Sequence, residues 1–368
     1  MICVVGGGAA GLACAAMLRR AGAEVVVLER DEVGAAWQAR YDCLHLHTVR
    51  WLSGLPGYGI PRSYGKWPSR DHVVEYLRAY AARHAIAVRT GVTAGRVDRT
   101  KEGWLVATGG EPVSADRIVI ATGYSNVPHL PAWPGSFAGA LVHSADYRRG
   151  DSYRGQRVLV VGAGNSGAEI AIDIARAGAS EVLLSVRTPP AVVRRDTLGV
   201  PSQLLGIASG RLPVGAVDRI AATLRRVAFG DLASVGLPAP EKPYSEFLRR
   251  RVIPIVDVGL GAAVKNGTVQ VVAGLERFES GMPLLVDGRA VEVDAIVAAT
   301  GFRTGLEPLV GHLGVLDERG RPLVRDVEEP VGAPALHFVG FEVTLGGTLR
   351  RAGIEAKQLA QLVVAATA

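Results

Sequence analysis

The sequence predicts a mixed α/β fold with two similar strand–turn–helix units, because the same apolar strand and glycine-rich turn occur twice. The first strand starts at residue 2 and the second at residue 158, about 150 residues later. Each strand runs into the pattern GxGxxG, which opens a helix. The glycines are Gly6, Gly8 and Gly11 in the first turn and Gly162, Gly164 and Gly167 in the second, where Asn165 and Ser166 precede the last glycine.

Each position of GxGxxG has a physical role beside a pyrophosphate. The first glycine makes the tight turn, the second lets backbone amides approach the phosphates, and the third allows the helix to pack closely on the strand. The helix N-terminus adds partial positive charge. One such turn is weak evidence. Two in the same context predict two Rossmann-like (three-layer) dinucleotide-binding domains, the second inserted in the first.

The residue at the end of the following strand predicts which nucleotide each turn holds. Eighteen residues past the third glycine lies Glu29 in the first unit and Ser185 in the second. A carboxylate accepts hydrogen bonds from ribose hydroxyls and repels a 2′-phosphate, whereas serine leaves room for one. We therefore expect FAD on the first turn, with Glu29 and Arg30, and NADPH on the second, with Arg187 and Thr188. An ordinary solvated Arg187 is the alternative.

The order of the motifs predicts a discontinuous FAD-binding domain, residues 1–150 and 285–368, around an NADPH-binding domain, residues 151–284. Within the second domain we expect an irregular helical insertion at about residues 189–253. It contains an amphipathic helix over residues 214–229, for which a packed insertion is favoured over a surface lid.

Local signals predict the remaining elements. Ser69 is a candidate N-cap for a helix of about fourteen residues. Alternating side chains predict a small antiparallel excursion. Its strands are expected over residues 86–92, 97–100 and 104–108. Further strands are expected over residues 117–121, up to residue 299 and over residues 335–340. Further helices are expected over residues 166–177 and 349–364.

Composition fits this fold and argues against other classes. The 368 residues suffice for two hydrophobic cores, and 46 glycines with 48% hydrophobic residues suit tight strand–helix turns. The net charge of +6 is spread along the chain, so we expect no nucleic-acid partner. The apolar start has no basic segment before it, and the closing apolar stretch is shorter than the about 20 residues that span a bilayer. We expect neither a signal peptide nor a membrane partner.

The cysteines Cys3, Cys14 and Cys43 are odd in number and have no CxxC spacing. This set argues against a disulfide framework and favours a reducing compartment, so we expect a cytoplasmic protein. It also weighs against the dithiol reductases, which share two nucleotide domains but need a redox-active cysteine pair. We expect no metal site.

Between the two units lies the pattern FxGxxxHxxxY, formed by Phe137, Gly139, His143 and Tyr147. It resembles the fingerprint of the flavin-containing monooxygenases, and its final tyrosine separates it from their Baeyer–Villiger relatives. We interpret His143 as a structural residue rather than a catalytic base, because the cofactors leave little chemistry for a protein base.

The resemblance covers nearly the whole chain and is closest to the plant YUCCA flavin monooxygenases and their bacterial relatives. The similar stretches are Tyr41-Asp42 with Leu44, Leu46 and His47, VLVVGAGNSGAEIAID from residue 158, residues 256–259 and 265–267, DAIVAATGF from residue 294, and residues 339–341. Where amine-oxygenating relatives have an asparagine in a TNxP segment, this chain has His47. Val49 and Ala36 depart from the expected proline and glycine; these departures bear on the substrate and leave the flavin site intact.

The resemblance implies that NADPH reduces FAD, that O2 adds to the flavin C4a carbon to give a C4a-(hydro)peroxyflavin, and that one oxygen atom passes to a small organic substrate. It implies that His47 contacts the flavin edge, as a donor or as a packing group. A hydrogen-bonded structural histidine is the alternative. The other residues expected to bind cofactors are Trp37, His45, Thr122, Gly123, Thr300, Gly301 and Leu349.

YUCCA-type enzymes convert indole-3-pyruvate to indole-3-acetate by oxidative decarboxylation, so the resemblance implies an aryl-pyruvate substrate. A cation should then bind the keto-acid carboxylate. Arg50 is the catalytic candidate beside His47, with Arg350 and Arg351 as alternatives. Other functions stay open: an N- or S-oxygenating or Baeyer–Villiger-type tailoring enzyme, a flavin-dependent NAD(P)H reductase without oxygen insertion, or a non-catalytic nucleotide sensor. A homodimer is compatible with the sequence.

Overall fold

The computed structural model describes residues 1–197, 199–209, 212–249, 253–344 and 346–367. The chain forms two compact units. The first comprises Met1–Ala39, Thr48–Val127 and Phe302–Ala368, and the second comprises Arg40–His47 and Pro128–Gly301.

The strands and helices follow in chain order. The strands are β1 (Ile2–Val5), β2 (Val25–Leu28), β3 (Val88–Arg89), β4 (Ala94–Arg99), β5 (Trp104–Thr108), β6 (Val113–Ala115), β7 (Arg117–Ile120), β8 (Val127–Pro128), β9 (Ala140–His143), β10 (Arg157–Val161), β11 (Glu181–Val186), β12 (Val192–Arg194), β13 (Asp196–Thr197), β14 (Val200–Pro201), β15 (Ile255–Asp257), β16 (Gln270–Ala273), β17 (Leu275–Glu279), β18 (Met282–Leu285), β19 (Ala295–Ala298), β20 (Phe302–Arg303) and β21 (Leu336–Phe338). The α-helices are α1 (Ala9–Arg20), α2 (Ala35–Gln38), α3 (Arg50–Ser53), α4 (Arg70–Arg83), α5 (Asn165–Arg176), α6 (Ser202–Ser209), α7 (Val214–Phe229), α8 (Tyr244–Arg249), α9 (Leu260–Lys265), α10 (Glu307–Val310) and α11 (Thr348–Thr367).

The first unit is built on a five-stranded sheet of order β21-β7-β1-β2-β3, in which every pairing is parallel. Its central strands are completely apolar and buried, as expected for a sheet covered on both faces. Helix α1 packs against α11, and Leu12 and Leu18 of α1 are fully buried. The predicted Ser69 cap is present: its hydroxyl accepts the His72 amide at the start of α4.

The second unit repeats this architecture with a five-stranded parallel sheet of order β16-β11-β10-β19-β9. Helix α5 follows β10 as α1 follows β1, and both helices have 12 residues. Ile170 and Ile174 of α5 are fully buried. The predicted α/β fold class, with two Rossmann-like domains, is confirmed.

The antiparallel excursion has three strands, but they are not the three that the sequence predicts. Strands β4, β5 and β6 form a three-stranded antiparallel sheet. The stretch at residues 86–92, however, contributes β3, which pairs parallel with β2 and extends the main sheet. Its alternating side chains suited either role, so the pairing partner could not be read from the pattern.

The compact units also differ from the predicted domain boundaries. Strand β9 and strand β19 belong to the second sheet, where they flank β10 on one side in the order β10-β19-β9. The chain therefore enters the second unit at Pro128 and leaves it after Gly301, rather than at residues 151 and 284. The short segment Arg40–His47 also belongs to the second unit, which a boundary drawn from the motif order cannot reveal.

The insertion in the second unit contains both strands and helices. Strand β12 pairs parallel with β15, and β13 pairs antiparallel with β14. Helix α7 has the predicted bounds and buries Val217 and Phe229. Among the described residues, no helix combines the length and apolarity that crossing a bilayer requires.

Candidate active site and nucleotide turns

The first glycine turn is shaped so that side chains are excluded from it. Gly6 has a φ of 110°, and a Cβ there would lie 2.6 Å from the Ala121 carbonyl oxygen. A Cβ on Gly11 would lie 1.8 Å from the Gly6 carbonyl oxygen. Gly8 is different, because none of the atoms that the structure describes lies within 4 Å of its Cβ position. Gly8 is the N-cap of α1 and supplies no side-chain cap, so the first amides of the helix face open space.

The second turn reproduces this geometry. Gly162 has a φ of 109°, with its Cβ position 2.6 Å from the Ala299 carbonyl oxygen. A Cβ on Gly167 would lie 1.9 Å from the Gly162 carbonyl oxygen, and no atom of the described residues lies within 4 Å of the Cβ position of Gly164. Both turns can therefore receive a pyrophosphate at an uncapped N-terminus of a 12-residue helix.

The two units differ at the end of their second strand, and the register corrects the sequence count. The Gly6 amide donates to the Leu28 carbonyl, whereas the Gly162 amide donates to the Ser185 carbonyl. Ser185 is thus the counterpart of Leu28, and Val186 is the counterpart of Glu29. Counting from the third glycine failed because the second unit has one more residue between its paired strands.

The Ser185 side chain consequently has a structural role. It is 1% exposed, its hydroxyl donates to the Ala273 carbonyl at 3.0 Å, and it accepts the Leu275 amide at 3.0 Å. The expectation that Ser185 leaves room for a phosphate is therefore wrong. Arg187 and Thr188 follow Val186 and are exposed, so a guanidinium still lies directly beyond the strand end.

Glu29 closes the first turn. Its Oε2 accepts the Gly7 amide at 2.6 Å and its Oε1 accepts the Asp31 amide at 3.0 Å. The carboxylate is thereby fixed beside the turn. Arg30 is exposed and pairs with Asp31, and Trp37 is half-buried on α2 in the same unit.

An Ala-Thr-Gly segment accompanies each turn, and the two segments differ. In the first unit, the Thr122 hydroxyl is buried without a hydrogen-bond partner among the described residues. In the second unit, the Thr300 hydroxyl donates to the His129 carbonyl at 2.5 Å. Gly123 and Gly301 both have positive φ, which permits the turn after each threonine.

The FxGxxxHxxxY residues all contact other segments of the second unit. Phe137 stacks on Phe278 at 5.7 Å, and a Cβ on Gly139 would lie 2.5 Å from the Asp294 carbonyl oxygen. The Tyr147 hydroxyl donates to Asp173 of α5 at 2.6 Å.

The remaining motif residue, His143, has both ring nitrogens in use. Its Nδ1 accepts the Ala145 amide at 3.1 Å, and its Nε2 donates to the Gly301 carbonyl at 3.0 Å. Burial lowers the pKa of His143, which favours the neutral ring. These contacts agree with a structural rather than a catalytic role.

His47 lies in a buried polar cluster that the sequence did not predict. Its Nε2 contacts Oε1 of Glu169, which is 7% exposed on α5. The Tyr41 hydroxyl donates to the other Glu169 oxygen at 2.8 Å. Glu169 is the member of this cluster that the sequence analysis missed. The available signal was a carboxylate among the apolar positions of α5, four residues after Asn165.

Other predicted site residues fall in several places. The Asn165 side-chain amide binds the chain at the start of β15: it donates to the Pro254 carbonyl just before the strand at 3.1 Å and accepts the Val256 amide within it at 2.7 Å. The Ser166 side chain contacts the Tyr41 hydroxyl. His45 is exposed, belongs to the second unit and contacts the Cys43 carbonyl at 2.9 Å.

Arg50 belongs to the first unit, whereas His47 belongs to the second. Arg50 begins α3 and donates to the Gly65 carbonyl at 3.1 Å. Leu349 is buried in the first turn of α11, and Arg351 of the same helix pairs with Glu355 and Asp326. Arg351 is therefore already engaged by two carboxylates.

The cysteines lack the features of a redox-active pair. Cys3 and Cys14 are buried, and Cys43 is partly buried. Burial raises the pKa of Cys3 and of Cys43 to about 12 and raises that of Cys14 further. Because the thiolate is the reactive form, these thiols are poor nucleophiles near neutral pH.

Comparisons with known proteins agree with this geometry. A family model described as pyridine nucleotide-disulphide oxidoreductase matches residues 3–198. An indole-3-pyruvate monooxygenase of the YUCCA group from Oryza sativa subsp. japonica is 35% identical over 349 residues, which cover 92% of this chain and 86% of the relative. A flavin-containing monooxygenase from Stenotrophomonas maltophilia is 26% identical, with a TM-score of 0.74 over 100% of this chain and 98% of that one.

A bacillithiol disulfide reductase from Staphylococcus aureus shares the fold, with a TM-score of 0.72, 15% identity and coverage of 100% of this chain and 98% of that one. At that identity the likeness concerns the fold alone. The chain belongs to the pyridine nucleotide-disulphide oxidoreductase family and, within it, to the flavin monooxygenases related to the YUCCA enzymes.

Proposed function

We propose that this chain is an FAD-dependent, NADPH-consuming monooxygenase that decarboxylates an aryl-pyruvate such as indole-3-pyruvate. The carrying observation is the pair of glycine turns with matching geometry in a chain 35% identical to an indole-3-pyruvate monooxygenase over most of both lengths. In the overall reaction, the keto acid, O2, NADPH and a proton give the shortened carboxylate, CO2, water and NADP⁺. One atom of O2 enters the new carboxylate and the other leaves in water.

The residues of the first unit fit FAD. The open space at Gly8 admits a pyrophosphate to the uncapped N-terminus of α1, and Glu29 stands fixed beside the turn as an acceptor for ribose hydroxyls. The buried Thr122 hydroxyl has no hydrogen-bond partner in the described part of the chain and offers a hydrogen bond to a bound group. When bound, the flavin supplies electron transfer from NADPH and activation of O2.

The residues of the second unit fit NADPH. Gly164 leaves the N-terminus of α5 open to a pyrophosphate in the same way. No carboxylate stands at the position of Val186, and the exposed Arg187 can bind a 2′-phosphate through two hydrogen bonds. We therefore assign FAD to the first unit and NADPH to the second.

The protein's own residues then have to hold the substrate. We assign Arg50 to the substrate carboxylate, with Arg350 as the second cation. Helix α3, which Arg50 begins, packs against α11, which carries Arg350. Arg351 is the weaker candidate because Glu355 and Asp326 already neutralise it. We keep His47, whose ring is held by Glu169, as the other catalytic candidate.

The cysteines argue against a dithiol reductase as the competing function. A disulfide reductase needs two thiols within bonding distance, one of them readily ionised. Here all three thiol pKa values are raised, and the sequence has no CxxC. The free thiols also support a reducing compartment such as the cytoplasm.

Size-exclusion chromatography with light scattering tests whether the protein is the homodimer that the sequence allows.

The test of this function is product analysis under ¹⁸O2. We expect the flavin-loaded protein with NADPH and indole-3-pyruvate to release CO2 and to form indole-3-acetate that carries one ¹⁸O atom. Arg50→Gln should raise the KM for the keto acid about tenfold, because one charge-assisted hydrogen bond is lost. The matched control Arg62→Gln alters an exposed arginine of the same unit and should keep the wild-type KM. Hydrogen peroxide as the sole product with this substrate would contradict the proposal.

A further inference from the structure

The acceptor that holds His47 is a buried carboxylate with two donors. Glu169 lies in the middle of the second unit's core helix α5, where it is 7% exposed. One oxygen accepts the Tyr41 hydroxyl at 2.8 Å and the other meets His47 Nε2. A carboxylate oxygen accepts hydrogen bonds, so the tautomer that carries the ring proton on Nε2 satisfies the second contact.

This contact leaves a single nitrogen of the ring for other work. Among the described residues, Glu169 is the only hydrogen-bond partner of the His47 ring, which is 22% exposed. With Nε2 committed to Glu169, only Nδ1 can meet a ligand. With the ring proton on Nε2, Nδ1 has a free lone pair and accepts a hydrogen bond.

The backbone beside His47 is fixed as well. The Arg195 guanidinium donates to the Leu46 carbonyl at 2.6 Å. Glu169 itself stands between buried positions of α5, including Ile170. Arg195 therefore holds the peptide group before His47, and Glu169 holds the His47 ring. All of these groups belong to the second unit.

We propose that Glu169 is a positioning residue that acts through His47: it keeps the imidazole proton on Nε2 and leaves Nδ1 as the ring nitrogen that meets a ligand. What the ring meets rests on the proposed function, but the tautomer does not. The arrangement parallels the general case in which a carboxylate fixes the tautomer and orientation of a catalytic imidazole.

A double-mutant cycle measures whether Glu169 works through His47. We expect Glu169→Ala and His47→Asn each to lower kcat/KM for indole-3-pyruvate about tenfold, a loss typical of removing the partner of a functional histidine. The double variant should be no slower than His47→Asn, since two residues acting as one unit are not additive. Glu169→Gln keeps an acceptor for Nε2 and should recover most of the loss.

Tyr41→Phe is the matched control, because it removes the other hydrogen bond to Glu169 and leaves the His47 contact intact. We expect it to stay within about threefold of wild type, as loss of one neutral hydrogen bond predicts. Circular dichroism and flavin content of every variant establish that the fold is retained. Additive losses in the double variant would overturn the proposal and assign Glu169 a purely structural role.

A spectroscopic readout is independent of activity. In protein with ¹⁵N-labelled histidine, long-range ¹H–¹⁵N correlations distinguish a protonated from an unprotonated ring nitrogen, and His47→Asn assigns the signals. We expect wild type and Tyr41→Phe to carry the proton on Nε2 and Glu169→Ala to show a tautomer mixture. A proton on Nδ1 in wild type, or a pattern unchanged in Glu169→Ala, would overturn the inference. If wild type makes no indole-3-acetate yet shows the expected tautomer, the proposed substrate fails and the role of Glu169 on His47 stands.

Discussion

The two units of this protein share a five-stranded parallel sheet and a glycine turn, yet they differ at one strand end. Both third-glycine Cβ positions lie within 2 Å of a carbonyl oxygen, at 1.8 Å in one unit and 1.9 Å in the other. The residue after the last β1–β2 pair is Glu29, and the residue after the last β10–β11 pair is Val186, which Arg187 follows. The glycine turn thus sets where a pyrophosphate can lie. The residues after the strand pairing determine whether the adenosine ribose can carry a 2′-phosphate.

The difference also teaches how the count along the chain misleads. Ile2 pairs with Val25 in the first sheet, but Val158 pairs with Val182 in the second, so the second unit has one extra residue. Because strand side chains alternate between the two faces of a sheet, an error of one residue in the count assigns a side chain to the opposite face. Ser185, the residue reached by counting, is consequently a buried partner of the neighbouring strand.

The strongest way to break the comparison is to close each turn separately. Gly11→Ala should abolish FAD binding and Gly167→Ala should abolish NADPH binding while FAD is retained, because each added Cβ collides with a carbonyl oxygen. Moving that backbone costs on the order of 3 kcal/mol, which corresponds to a loss of affinity of at least about 100-fold. Flavin absorbance per protein and the Kd for NADPH measure the two effects.

Gly110→Ala and Gly215→Ala are the matched controls in the two units, since no described atom lies within 4 Å of either Cβ position. Both should keep wild-type affinities. Loss of FAD from Gly167→Ala with retention in Gly11→Ala would reverse our assignment of the nucleotides.

We expect acid to destabilise the first unit, because this unit contains His337, whose pKa is lowered by burial. His337 is fully buried; it accepts from Arg117 and contacts the Val327 carbonyl, and burial lowers its pKa from 6.5 to about 4. The folded-state pKa lies below the unfolded value, so this stability is present above about pH 6.5 and is lost as the pH falls toward 4.

Between pH 7.5 and pH 4.5 the loss amounts to about 2–3 kcal/mol of unfolding free energy. Urea unfolding followed by tryptophan fluorescence at the two pH values measures it. His337→Asn, which keeps a donor for Val327, should flatten the pH dependence by that amount. An equally steep dependence in the variant would assign the acid sensitivity to other groups.

A smaller effect is expected from Arg187. Arg187→Gln should raise the KM for NADPH about tenfold and leave that for NADH unchanged, because only the 2′-phosphate loses a charged partner. Arg226→Gln alters an exposed arginine of the same unit and serves as the control. Equal changes for both coenzymes would show that Arg187 does not contact the 2′-phosphate.

The sequence predicted the features that local chemistry determines. The two turns, the strands beside them, the Ser69 cap and the bounds of α7 depend on residues adjacent in the chain. The membership of segment Arg40–His47 in the second unit depends instead on contacts with α5, which are more than 120 residues distant in sequence. Such contacts have no local signature.

The candidate site shows the same division. The cofactor glycines were readable because only glycine fits their backbone. His47 was readable from its place in a family pattern, whereas its partner Glu169 was hidden among apolar helix positions. The hydrogen bonds of the Asn165 side chain were equally hidden, because its partners Pro254 and Val256 lie 89 and 91 positions further along the chain.

The most direct test of the central claim compares Val186→Glu with Ser185→Glu, by the ratio of kcat/KM for NADH to that for NADPH. Val186 is the counterpart of Glu29, so a carboxylate there should accept the ribose hydroxyls, repel the 2′-phosphate and raise the ratio at least about tenfold. Ser185→Glu should lower the stability of the sheet without raising the ratio, since position 185 points into the protein. A raised ratio for Ser185→Glu and an unchanged one for Val186→Glu would contradict the account.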